Sequence, residues 1–167
     1  TYHFTIDKTA PTGTLNVSDG GNATSYNSLS DKGSFSHVTK SAVEVGQVSD
    51  DETSGIASVK YYLYHPSLDA KGSFGLPSVD ELRSVEWKDW NGALSLTEDQ
   101  QTVVYQRIED KAGNVTYVNT SGAILIDNTA PTQPQITFNS QASANNVFAR
   151  NVSTTIRVED QVSGGTY

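Results

Sequence analysis

The run Ile126-Asp127-Asn128-Thr129-Ala130-Pro131-Thr132 repeats, with one change, the run Ile6-Asp7-Lys8-Thr9-Ala10-Pro11-Thr12. The two stand 120 residues apart, from position 7 to position 127. Self-similarity at a long fixed period marks tandem modules and not one continuous fold. The chain is therefore expected to hold one complete module with pieces of its neighbours. Residues 1–8 read as the tail strand and linker of a preceding module, 9–127 as the complete module, and 128–167 as the N-terminal part of a second. In each copy the proline fixes φ and removes a backbone donor, so the joint should be stiffer than a Gly/Ser linker.

Composition narrows the function classes. The 167 residues contain neither Met nor Cys and begin in mid-pattern at Thr1-Tyr2-His3-Phe4, which suggests a segment of a longer protein. Without Cys the chain is no disulfide-stapled mini-domain. Its net charge of −8 repels phosphate backbones and anionic lipid, so nucleic-acid and membrane-surface roles are not expected. No stretch reads as a membrane span. An acidic surface suits solubility or divalent cations.

Hydrophobic alternation with period 2 recurs in short runs separated by Gly, Pro, Asn and Asp, which reads as an all-β chain. Strands are predicted at Thr14–Val17, Ser41–Val48, Ile56–Tyr64, Val85–Trp87, Ala93–Leu96, Thr102–Glu109, Val115–Val118 and Ala123–Ile126. Tyr2–Ile6 reads as the orphan last strand of the preceding module, and residues 18–33 as a long loop. In the strand Ile56–Tyr64, the face carrying Ala57, Val59, Tyr61 and Leu63 is expected to be core. From His65 to Arg83 the pattern loosens, and Ser78 followed by Glu81 offers a capping box for one helical turn. Gln135–Phe138 and Thr154–Val158 copy the first two strands of the repeat. About seven strands with almost no helix predict an antiparallel immunoglobulin-like β-sandwich plus a partial second module.

Four sequence words carry a family resemblance: Ile-Asp-x-Thr-Ala-Pro at 6–11 and 126–131; Asp51-x-x-Ser54-Gly55-Ile56; Trp87 with Gly92; and Val104-Tyr105-x-Arg107-x-x-Asp110-Lys111-Ala112-Gly113-Asn114. In this order the chain resembles the bacterial immunoglobulin-like repeats found in tandem in large cell-surface and secreted proteins. The resemblance implies an extracellular or cell-surface location and a spacer or adhesive stalk, flanked by neighbouring repeats. It also implies that Trp87 is a core residue. The turn before Val103 lacks the family's usual Gly, and the loops 18–40 and 65–84 are long, which is where a binding function could have been added.

If the strands alternate in direction, the start of the first strand and the turns after the second and sixth lie at one end of the sandwich. That would gather Asp7, Asp50, Asp51, Asp110 and Asn114, a set of hard oxygen donors of the kind Ca²⁺ takes. The competing reading is local: Asp51 and Asp110 bond their own turns while Gly55 and Gly113 supply positive φ. At the second joint Asp127 and Asp160 would face Glu98 and Asp99. Trp90, Tyr62 and Tyr64 could form an aromatic platform for a glycan or protein ligand.

Catalysis is not expected. The adjacent acidic pairs of the chain point to opposite faces of a strand, His3, His37 and His65 lack metal-ligand spacing, and neither a nucleophile elbow nor a phosphate loop occurs. The leading expectation is a non-catalytic spacer whose joints calcium stiffens. Its alternatives are a glycan- or protein-binding module, or an accessory domain of a secreted carbohydrate-active enzyme. The strands around Ile136 and Ile156 lack most of a sandwich, so exchange with Tyr2–Ile6 of another copy is expected.

Overall fold

The structure is a computed structural model that describes residues 6–20, 22–39, 42–67, 74–97, 101–139, 151–160 and 165–166. The chain divides into two compact units, residues 1–127 and 128–167. The strand predicted at Tyr2–Ile6 lies, up to its last residue, outside the described residues.

The first unit is an all-β sandwich. One sheet is formed by β1 (Thr12–Ser18), β2 (Ala23–Tyr26), β4 (Val43–Asp50) and β8 (Leu94–Leu96), in the order β2-β1-β4-β8 and antiparallel throughout. The facing sheet has the order β6-β3-β11-β9-β5-β7. Its strands are β3 (Lys32–Thr39), β5 (Ile56–Tyr64), β6 (Phe74–Gly75), β7 (Lys88–Asp89), β9 (Gln101–Asp110) and β11 (Gly122–Ile126). Among the described residues, its one parallel pairing joins β11 to β3. β10 (Val115–Asn119) pairs with the far half of β9, and β11 with its near end, so β10 and β11 border one neighbour in succession. Between them Ser121 takes φ 52°, and its N–H donates to Asn119 Oδ1 at 3.1 Å.

Leu15, Val17, Val43 and Val45 from one sheet meet Val104, Val118, Ile124 and Ile126 from the other, all at or below 2% exposure. This is the core that alternation predicts. A second apolar cluster lies on the outer face of the larger sheet, where Val103, Tyr105 and Ala123 meet Phe74 and Leu82, with Tyr62, Tyr64, Trp87 and Tyr117 packed around them. β9 is thus covered on both sides, and residues 102–106 are buried without a break.

The covering comes from the excursion after β5, whose one helical turn, α1 (Val79–Leu82), is capped as the sequence predicts. Ser78 Oγ accepts from Glu81 N–H, and Glu81 reaches back to Ser78 N–H. The turn buries Leu82 completely, worth about 2 kcal/mol in apolar transfer.

Several expectations need correction. Residues 18–33 are no featureless loop, since β2 and the start of β3 lie there. The strand predicted at Val85–Trp87 is displaced to Lys88–Asp89. Ala57 is exposed because β5 carries an extra residue opposite Glu109–Asp110, a bulge that turns it out of the core row. Trp87 is only partly buried and packs on the outer cluster, donating Nε1–H to Leu82 O at 2.9 Å. Trp90 packs against the core between the sheets.

Tyr105 is fully buried, yet its hydroxyl finds no hydrogen bond of ordinary geometry among the described residues. Burial pushes its phenol up to about 12, with the Asn119 amide acting against that shift. The folded state therefore keeps this proton where the unfolded chain, with a tyrosine at 10.0, has begun to lose it. The contribution is whole below pH 10 and is lost as pH rises through about 12. Tyr105→Phe should leave stability at pH 7 unchanged or raise it by up to about 1 kcal/mol, since it removes a buried unpaired hydroxyl. In urea titrations at pH 9 to 12 it should flatten the alkaline decline.

In the second unit β12 (Gln135–Phe138) pairs antiparallel with β13 (Thr154–Arg157), setting Ile136 opposite Ile156. Ile136, Phe138 and Ile156 are each more than half exposed. β14 (Glu159–Asp160) and β15 (Gly165–Thr166) form a further pair. Among the described residues no helix is long and apolar enough to cross a membrane.

Candidate metal centre

Two turns and the first linker converge at one end of the first unit. The turn after β4 is organised by Asp51, whose Oδ2 accepts from Ser54 N–H at 2.8 Å, from Ser54 Oγ–H at 3.1 Å and from Gly55 N–H. Gly55 follows with φ 79°, a left-handed conformation that suits glycine. The turn after β9 is organised by Asp110, whose Oδ1 accepts from Ala112 N–H and Asn114 N–H, each at 2.8 Å. Gly113 there has φ 91°. The local reading of these motifs is thus correct as far as it goes.

The linker adds the third carboxylate. Asn114 donates Nδ2–H to Asp110 Oδ2 at 2.7 Å, to Thr9 O at 3.2 Å and to Asp7 O at 3.3 Å. Thr116 Oγ–H reaches Pro11 O at 2.6 Å. These bonds hold residues 7–11 against the β9–β10 hairpin and bring one carboxylate oxygen each of Asp7, Asp51 and Asp110 within 4.8 Å of one another.

Asp110 is 1% exposed. Burial alone would push its carboxyl up, but the Asn114 side chain and the N–H groups of Asn114, Ala112 and Gly113 outweigh it and hold the group below the usual aspartate range. It is ionised at neutral pH. Asp7 Oδ1 accepts from Thr9 N–H at 2.9 Å, whereas its Oδ2 is buried with no hydrogen-bond partner among the described residues. Three carboxylates this close, one with an uncompensated buried oxygen, form a pocket of negative potential that an oxygen-seeking cation would neutralise.

Of the residues expected at this end, Asp7, Asp51 and Asp110 come together and Asn114 braces them as a donor. Asp50 is exposed at the end of β4, its carbonyl accepting from Thr12 Oγ–H at 3.2 Å, and is not one of the three. At the other joint, Asp127 closes the first unit by donating its N–H to Thr39 O at 2.8 Å, and Asp160 lies in β14 of the second unit. Glu98 and Asp99 fall outside the described residues. Tyr62 and Tyr64 lie on the outer face, while Trp90 packs against the core between the sheets, 5.7 Å from the ring of Tyr61. The three aromatics do not share one cluster. The docking of the Thr9 and Pro11 carbonyls on Asn114 and Thr116 has no signal in the sequence beyond the repetition of the Thr-Ala-Pro word.

Comparison with protein-family models, curated proteins and solved structures gives no match to this chain, so the reading of the site rests on its own residues.

Proposed function

We propose that the chain is a non-catalytic, immunoglobulin-like repeat that serves as a spacer in the stalk of a bacterial cell-surface or secreted protein, with calcium stiffening its N-terminal joint. The observation that carries this reading is the meeting of Asp7, from the linker, with Asp51 and Asp110, from two turns of the sandwich. A cation held by all three would fix the linker to the module at a second point, beside the Asn114 clamp. The repetition of the linker word at 126–131 supports a tandem arrangement. Neighbouring repeats are then the chain's principal partners.

Calcium would bind the folded state and not the unfolded chain, so it should raise stability by mass action. At a free concentration a hundred times its Kd the gain is about 2.7 kcal/mol. Thermal melts of the chelated protein and of the same protein with millimolar calcium test this. A higher melting point with calcium supports the joint, and superimposable melts remove calcium from the proposal.

A further inference from the structure

The excursion that covers the outer face leaves a groove beside it. This groove has a volume of about 390 Å³ and is lined by Tyr62, Tyr64, Leu76, Pro77, Glu81 and Val85. Its size falls within the range of sites that hold small organic ligands. Tyr62 and Tyr64 are half-buried, and the Tyr62 ring is braced by Trp87 and Tyr105, each with its centroid 6.1 Å away. Such bracing fixes the aromatic wall before any ligand arrives.

Among the described residues, Glu81 is the one charged side chain on the lining. The N–H and hydroxyl of Ser78 each donate to its Oε2 at 2.7 Å, and they hold its carboxyl below the usual range, so the charge is fixed in place at neutral pH. Arg83, the nearest basic residue in sequence, is engaged by Asp80 at 2.7 Å. Aromatic faces, aliphatic walls and one fixed anion together attract a cation through the ring quadrupole and the carboxylate. An anionic ligand would be repelled by Glu81. A compact primary ammonium holds its water tightly, whereas a diffuse cation sheds it readily.

We propose that this groove is a binding site for a quaternary ammonium group of the choline type, seated against Tyr62 and Tyr64 with Glu81 as its counter-charge. Glu81 Oε2 already accepts two bonds from Ser78, which suits a cation that needs charge but no hydrogen bond better than a guanidinium that needs both carboxylate oxygens. The site is separate from the carboxylate cluster and does not depend on it.

The test is a titration of the whole 167-residue chain at low ionic strength with choline, with Nα-acetylarginine amide and with 3,3-dimethylbutanol, the uncharged isostere of choline. Ring signals of Tyr62 and Tyr64 in the NMR spectrum provide the readout. Choline should bind in the millimolar range and at least about fivefold more tightly than the isostere. Tighter binding of the arginine amide than of choline would overturn the quaternary-ammonium assignment.

Glu81→Gln keeps a residue that can complete the capping box but removes the charge, so it should weaken cation binding about five- to tenfold while lowering the melting point only slightly, by the loss of the ionised carboxylate that Ser78 favours. Tyr64→Leu should weaken binding to a similar degree. The proposal is overturned if choline does not move the signals at about 100 mM, far above a millimolar Kd. It is equally overturned if the isostere binds as tightly as choline, or if Glu81→Gln leaves the choline titration unchanged.

Discussion

Gly13→Val is expected to destabilise the first unit by about 3 kcal/mol, as an overpacked core position. A Cβ on Gly13 would lie 2.1 Å from Ile108 Cδ1 and 2.9 Å from Gln106 Oε1. Both neighbours are fully buried, and Gln106 donates Nε2–H to Gln47 Oε1 at 2.9 Å, so neither side chain can swing away without a further loss. The bare backbone of Gly13 is what lets β1 approach β9 this closely. The same approach delivers the linker just upstream to Asp110 and Asn114. The variant should therefore show a lower urea midpoint and, in the folded fraction, weaker calcium binding. A midpoint within error of the parent would mean that β1 is not held against β9 as described.

The second large effect changes sign with calcium. Asp7→Asn keeps an oxygen that can accept from Thr9 N–H, a bond of 2.9 Å in the parent, while removing one of three clustered negative charges. In chelator the variant should be as stable as the parent or more stable by up to about 1 kcal/mol, because repulsion is relieved at a partly solvated site. With calcium at a hundred times the parent's Kd, the parent gains about 2.7 kcal/mol and the variant little of it, so the order of the two melting curves reverses. Parallel curves that keep their order in both buffers would show that Asp7 takes no part in binding a cation.

What the sequence made legible follows the range of the forces involved. The turns at Asp51–Gly55 and Asp110–Gly113 are set by contacts within four residues, so Asx and Gly chemistry identifies them directly. The Ser78–Glu81 cap is legible for the same reason. The repeated linker word, with alternating strand directions, was enough to place Asp7 at the same end as both turns.

The outer cluster was not legible. Tyr105 and Val103 alternate with the inward Val104 and Gln106 as a solvent face would, and only the return of Phe74 and Leu82 from a loosely patterned segment makes that face a core. The parallel pairing of β11 with β3 joins residues far apart in sequence and has no local signature. Trp87 and Trp90 take the reverse of their expected places for a related reason. Their contacts depend on which sheet face each meets after a short displaced strand, which the residue types alone do not decide.

On the proposed function, Asp7, Asp51 and Asp110 together hold a divalent cation that ties residues 7–11 to the two turns. Isothermal calorimetry of the chelator-stripped chain with calcium chloride tests it most directly. A saturable heat is expected, absent from Asp7→Asn and surviving in Asp50→Asn, since Asp50 stands outside the cluster. A titration of the parent that shows only the heat of dilution would contradict it.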